Sequence, residues 1–251
     1  MTGDAFAPRG YGADAAPNQE YGLQVGWTAD YDTVTLSPGA IYASDETTRM
    51  VVSTQLTTSM TAMGGSEPTD ALAYPWLGVN ASGAPSFWLD TSLSSPTLTP
   101  AGIVAKRYIG PALRNDASQN LDRFSSVRSG RSVSLTYKHN NAVMYATGDF
   151  STAVSFSVAG FVPTTATSIR LMLNGAIAEA TGAYREFQVF ADAGLTHTLA
   201  TSGTSSVIYA QNAVTVEVPT AAVTLTSLYY HCTVSDSCIG IIVPQGFTEA
   251  I

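Results

Sequence analysis

From Tyr21 onward the chain is a succession of short runs rich in Val, Ile, Thr, Tyr and Phe, closed about every 8 to 12 residues by Gly, Pro, Asn, Asp or Ser. Branched and aromatic side chains suit a pleated, half-buried surface, and turn residues at this spacing leave little room for helices. The pattern predicts an all-β protein: two antiparallel β-sandwich (jelly-roll-like) domains behind an irregular N-terminal arm. The boundaries it suggests are 1–20 for the arm, 21–130 for a first β domain and 131–251 for a C-terminal sandwich. A chain of 251 residues buries roughly 70 to 75% of its unfolded surface, so neither a disulfide nor a metal is needed to hold it together.

Asp32 to Leu36, the turn Ser37-Pro38-Gly39 and Ala40 to Ser44 read as one hairpin. Tyr74 to Val79, Asn80-Ala81-Ser82-Gly83 and Ser86 to Asp90 read as another. Strand-like runs continue at 103–112, 121–127 and 132–137. Phe150 to Val158 alternates, with Val154, Phe156 and Val158 on one face and Ser155 and Ser157 on the other. Residues 168–173, 186–190 and 213–218 alternate too, as a sheet with one buried and one wet face requires. Leu225 to Val234 against Cys238 to Val243 reads as a closing hairpin, and its second strand, apolar on both faces, belongs in a central or interface position. Met60 to Leu72 alone has helical character; Gly64-Gly65 and Pro68 interrupt it and leave at most one turn, after Thr69. No repeat at a fixed period is present.

Eleven Lys and Arg against nineteen Asp and Glu give a net charge of −8, the wrong sign for neutralising phosphates, so nucleic acid and anionic membranes are not expected partners. Charged residues are 12% of the chain, about half the usual fraction, while Ser and Thr supply roughly a fifth to a quarter, so hydroxyls build the polar surface. The 45% apolar and 10% aromatic content suffices to order the backbone. No apolar run approaches the roughly 20 residues of a membrane span, and Met1 to Phe6 has no signal-peptide pattern, which leads us to expect synthesis in the cytoplasm.

Candidate functional residues are few. The arm carries isolated Phe6, Pro8 and Tyr11, which either belong to a disordered terminus or anchor the protein in an assembly. Arg128, Arg131, Lys138 and His139 form the most basic stretch, either a solvated strand and linker or a contact for an acidic partner. Cys232 and Cys238 face each other if 234–236 form a hairpin turn, as a disulfide or, in a reducing compartment, as two buried thiols. Beside them only His231 offers a metal ligand, too few for zinc. Asp116, Asn120 and Asp122 lack calcium-loop spacing and suit Asx turns, and Asn80-Ala81-Ser82 matches a glycosylation sequon but is expected to be a turn only. No nucleophile elbow, zinc-protease, Walker or dinucleotide motif is present, so neither an enzyme nor a cofactor is expected. Trp27, Trp76, Trp88 and Tyr229-Tyr230-His231 lie on strands or strand ends. There they serve the core or, especially Trp88, Tyr229, Tyr230 and His231, contact a glycan or partner by stacking.

One ordered series of residues adds to this. Asp32-x-Val34-x-Leu36-x-x-Gly39-x-Ile41 is followed by Tyr74-x-Trp76-Leu77, Gly83, Leu89-Asp90-Thr91-Ser92 and Pro96-x-Leu98-x-Pro100-Ala101-Gly102. Lys106-Arg107-Tyr108-Ile109-Gly110 comes next, then Asn115-Asp116-Ala117-Ser118 leading to Phe124. The series resembles a domain of tailed-bacteriophage virion proteins, the tail fibre and head fibre (spike) family, although Ser125-Ser126-Val127 stands where that pattern carries a Gln. The resemblance implies a virion surface protein, homotrimeric, bound to other virion structural proteins and contacting host-surface polysaccharide. A capsid decoration or tail-tip assembly protein is the alternative. A polysaccharide depolymerase is a third; it would need two convergent carboxylates from Asp90, Asp149, Glu179, Glu186 and Asp192.

Overall fold

The computed structural model describes residues 20–28, 32–64, 68–116, 121–138, 144–148, 152–177, 185–196, 198–204, 212–232 and 238–251. Over these the protein is all-β. Its strands pair antiparallel, and the helical turns among the described residues are two of 3-10 type, Thr61–Met63 and Thr220–Ala222.

Strands β1 (Tyr21–Gly22), β2 (Val25–Trp27), β3 (Thr33–Leu36), β4 (Gly39–Tyr42), β5 (Arg49–Val52) and β6 (Leu56–Ser59) form two small sheets, β1-β4-β5 and β2-β3-β6. The hairpin expected across Ser37-Pro38-Gly39 is therefore not formed: β3 and β4 enter different sheets. Pro38 has no N–H for a ladder, and the bend is held from the preceding segment, where Leu23 N donates to Pro38 O at 3.3 Å and Ser37 N to Gln24 O at 3.0 Å. Gly39 then lies so close to β1 that a Cβ there would sit 2.3 Å from Tyr21 O. The 3-10 turn also precedes its expected place. Met60 and Met63 are buried in the core, and Gly64, left-handed at φ 66°, ends the turn before Pro68.

Strands β7 (Ala71–Asn80), β8 (Pro85–Asp90), β9 (Ile103–Tyr108) and β10 (Leu113–Asn115) make a sheet centred on β7, which takes β8 on one edge and β10 and β9 in succession on the other. The β7–β8 hairpin forms as expected. Asn80 Oδ1 accepts from the backbone N–H of Ser82 and of Ala84, both at 3.0 Å, and Gly83 supplies φ 82°.

The remaining strands are β11 (Phe124–Ser129), β12 (Ser132–Tyr137), β13 (Met144–Gly148), β14 (Val154–Phe156), β15 (Ala166–Ile177), β16 (Arg185–Phe190), β17 (Thr198–Thr204), β18 (Asn212–Pro219), β19 (Leu228–Cys232) and β20 (Cys238–Ala250). They form a six-stranded sheet, β11-β12-β20-β15-β18 with β13 also on β20, and a four-stranded sheet, β14-β19-β16-β17. The expected alternation holds: Phe156, Val158, Ile169, Leu171, Leu173, Phe187 and Val189 are buried, with more accessible residues between them. β20 is central, as its two apolar faces required. The closing hairpin, however, is not formed. From Cys238 to Ile242 both edges of β20 are occupied, by β13 and β15, so β19 pairs with β14 and β16 in the other sheet. Cys232 lies across from Phe187, and Cys238 across from Gly148 and Ile177, so the two cysteines are not cross-strand partners.

One core cluster runs from Leu23 through Leu77 and Leu135 to Phe247, joining the small sheets to the large ones. Two glycines of β20 are required by close approach. A Cβ at Gly240 would lie 2.3 Å from the Phe187 ring of the facing sheet, and one at Gly246 would lie 2.0 Å from Leu135 O, at φ 145° beside a register shift against β15. Gly246→Ala should lower stability by about 2 to 4 kcal/mol. Gly130→Ala, at φ 58° with open space around it, should cost about 1 kcal/mol. Urea unfolding with unchanged slope would read both, and equal losses would show that the contact with Leu135 is not what matters.

Candidate functional site

The β7 register aligns three aromatic rings across the sheet: Trp76 stands opposite Trp88 on β8 and Tyr108 on β9. The two indoles stack with centroids 6.4 Å apart, and Tyr108 lies 6.1 Å from Trp76 at a tilt. Gly78 makes the room, since a Cβ there would approach Ile103 Cγ2 at 2.8 Å and Trp88 Cη2 at 3.1 Å. All three rings are buried. Trp76 Nε1 donates to Ser92 O at 3.1 Å, in the loop after β8. Asp90 fixes that loop, its Oδ1 accepting from Ser92 N at 2.9 Å and its Oδ2 from Leu98 N at 2.6 Å.

Trp76, Tyr108 and Leu93 line an open pocket of about 380 Å³. Its rim is polar. Ser44, Glu46, Arg107 and Ser94 line it as well, and Thr165 and Ile251 reach it from beside β15 and β20. Arg107 Nη1 donates to Glu46 Oε1 at 2.8 Å and to Tyr42 O at 3.2 Å. Arg131, from the β11–β12 turn, donates to Glu46 Oε2 at 2.5 Å and grips both oxygens of Glu20 at 2.9 Å. These guanidiniums, Arg131 first, hold the Glu46 carboxyl down at about 2. Glu46 and Arg107 at the pocket, with Glu20 and Arg131 behind them, thus balance in charge.

Beneath the pocket lies Glu249 of β20, fully buried. Its Oε1 accepts from Tyr108 OH at 2.8 Å and Ala112 N at 3.1 Å, and its Oε2 from Thr165 Oγ1 at 2.7 Å. Burial raises the pKa of this carboxyl against the pull of its three donors, and burial and Glu249 together raise that of the Tyr108 phenol. Gly110, at φ 50°, brings its backbone so near that a Cβ would meet Glu249 Oε1 at 2.8 Å.

The expected site residues are distributed otherwise. Phe6, Pro8 and Tyr11 lie outside the described residues. Trp88 belongs to the aromatic row but not to the pocket lining. Tyr229, Tyr230 and His231 sit on β19 in another sheet, where Tyr230 is buried 5.8 Å from the Phe187 ring, His231 packs 6.4 Å from Phe190, and Tyr229 is half-buried. The structure therefore does not bring Trp88 together with the β19 residues. In the basic stretch, Arg131 finds its acids within the chain. Arg128 donates to Ile109 O at 2.9 Å, with burial lowering its pKa to about 10. Lys138 is exposed and His139 lies outside the described residues. Among the candidate carboxylates Asp90 is held by backbone N–H groups and Asp192 accepts from Thr196; Asp149, Glu179 and the Glu186 side chain lie outside the described residues. Asp122 is ion-paired with Arg114. Among the described residues no group of three or more His, Cys, Asp or Glu is placed to hold a metal, and no helix is long and apolar enough to cross a membrane. Sequence reasoning passed over Glu46, Thr165 and Glu249. Glu249 had a legible signal: it is a carboxylate two residues after Phe247, on the inward side of an apolar strand.

No family model matches the chain, and no curated protein matches it significantly. Among solved structures, one of the infectious bursal disease virus Gx strain aligns at TM-score 0.23 and 13% identity, covering 92% of this chain and 74% of that one. A structure of carbohydrate-binding modules from the β-sandwich superfamily aligns at 0.20 and 10%, covering 93% and 98%. At such scores neither establishes a shared fold or a shared function.

Proposed function

We propose that this chain is a surface structural protein of a tailed phage or phage-like particle, a tail fibre or head spike component that contacts host-surface polysaccharide. The ordered series from Asp32 to Phe124, the hydroxyl-rich and lysine-poor composition and the net charge of −8 support the particle assignment. In this reading residues 1–20, with Phe6, Pro8 and Tyr11, attach the chain to other virion proteins, and the assembly is a homotrimer. The observation that carries the glycan part is the pocket lined by Trp76, Leu93 and Tyr108 together with Ser44, Ser94, Thr165 and Glu46: apolar atoms interleaved with hydroxyl and carboxylate groups suit a sugar's mixture of C–H and O–H groups. The test is binding of the fluorescently labelled protein to intact host cells before and after enzymatic removal of capsular polysaccharide. Binding should be lost on removal; binding that survives it would contradict glycan contact.

A second reading, an assembly protein without receptor binding, is favoured by Val104 and Val127, which are 65% and 66% exposed on β9 and β11. Exposed branched side chains on strands suit a protein interface. Incorporation into particles without any cell binding would select it.

A further inference from the structure

We infer that the Trp76–Tyr108 pocket binds a neutral polyhydroxylated ring, a hexose-class sugar, in preference to acidic sugars, because the indole and hydroxyl donors of Trp76, Ser44, Tyr108 and Thr165 are already directed into the protein. The inference rests on the glycan reading above and narrows it to one site and one ligand class. Trp76 Nε1 donates to Ser92 O, and Ser44 Oγ to Lys106 O at 3.0 Å. Tyr108 OH and Thr165 Oγ1 both donate to the buried Glu249, and Arg107 Nη1 is held by Glu46 and the backbone of Tyr42. A hydroxyl has one proton and two lone pairs, so once its proton is taken inward it meets a ligand as an acceptor. Glu249 is thus a positioning residue: it turns the protons of Tyr108 and Thr165 away from the pocket. The Glu46 carboxylate at the rim is a further acceptor, with its charge balanced by Arg107 and Arg131.

Where Ser44, Tyr108, Thr165 and Glu46 present acceptors, the lining asks for a ligand that brings donors. Sugar hydroxyls do so, whereas a uronate or sialate carboxylate brings only acceptors and would lie against Glu46 and unpaired oxygens. A site built this way rejects the analogue that cannot complete its hydrogen bonds, and the rejection exceeds what shape alone provides.

The experiment is saturation-transfer NMR on the full chain with matched pairs, glucose against glucuronate and galactose against galacturonate, repeated on Thr165→Val, Thr165→Ser and Tyr108→Phe. Near-UV circular dichroism checks that each variant keeps its packing. The neutral member of each pair should bind at least tenfold more tightly than the acidic one. Thr165→Val should weaken it at least fivefold, and Thr165→Ser should restore it. A uronate bound as well as its neutral partner would overturn the inference and leave the glycan reading intact. So would neutral binding indifferent to Thr165→Val and Tyr108→Phe in folded variants, since the sugar would then sit elsewhere. Absence of binding to any of the four sugars overturns the inference as well. In that case capsule-dependent cell binding still upholds the glycan reading, and its loss brings that reading down too.

Discussion

Glu249→Ala should destabilise the protein by about 3 to 5 kcal/mol, because it leaves three donors, two of them buried, without their acceptor. The donors are Tyr108 OH, Ala112 N–H and Thr165 OH, so the damage reaches the β9 end, the loop before β10 and the start of β15 at once. Glu249→Gln should behave differently. Its Oε1 still accepts from Tyr108 and Ala112, its Nε2 can donate to Thr165 Oγ1, and no charge is buried. The pH dependence separates the two further. Because burial raises the Glu249 carboxyl above 4.5, the folded chain holds that proton more tightly than the unfolded chain does. This group's contribution to stability therefore falls as pH rises from about 4.5 through its raised native value. Glu249→Gln removes that fall, so the variant should match the wild type at pH 4 and equal or exceed it at pH 8. Glu46 and Asp45, both held near 2, act in the opposite sense: their contributions are present above about 4.5 and are lost as pH falls toward 2. Urea unfolding across pH 3 to 9 would read all of this, and a Gln variant as unstable as Ala at pH 8 would contradict the account of Glu249.

Arg114→Leu should cost a similar amount, about 3 to 5 kcal/mol, by a different route. Arg114 of β10 is buried, donates through Nη1 to Asp122 Oδ2 at 2.6 Å and through Nη2 to Asp70, and lies 4.0 Å from the centroid of the Phe161 ring. Phe161 is itself tied to β12, its carbonyl accepting from Tyr137 OH at 2.5 Å. Removing the guanidinium takes the ion-pair partner from the Asp122 carboxylate, which is 6% exposed, whereas Asp70 is 63% exposed and keeps its water. Asp70→Ala should therefore cost under about 1 kcal/mol, and the pair Arg114→Leu with Asp122→Leu should recover much of the single loss, since neither charge of the ion pair is then buried. Equal losses at Asp70 and Asp122 would refute this division.

Much of the fold was legible because a β-strand with one buried face writes itself at period two. Val154-Ser155-Phe156-Ser157-Val158 and Ile169 to Leu173 announced their faces, and the doubly apolar Cys238 to Val243 announced a central or interface strand. Pairing was less legible, because an alternating run states which face is buried and not whose edge is free. The two hairpins that failed did so for that reason: Pro38 carries the chain from one sheet to another, and β13 and β15 occupy both edges of β20 before β19 can reach it. The candidate site was legible in part. Trp76 and Trp88 were visible among the aromatics on strands, but which of them meets a pocket depends on the loop from Ser92 to Leu98 and on Ser44 and Glu46. Those residues come together through long-range contacts. The β19 aromatics alternate at a strand period of their own: Tyr230 packs inward against Phe156 and Phe187, while Tyr229 and His231 are half-buried.

The central claim is that this chain sits on a particle and meets the host surface with it. The most direct measurement is labelling of purified particles with Fab fragments raised against the folded protein, with particle adsorption to intact host cells followed at increasing Fab concentration. The account predicts that the Fab decorates the particles and reduces adsorption at least tenfold. Particles that carry none of this chain, or that bear the Fab and adsorb as before, would contradict it.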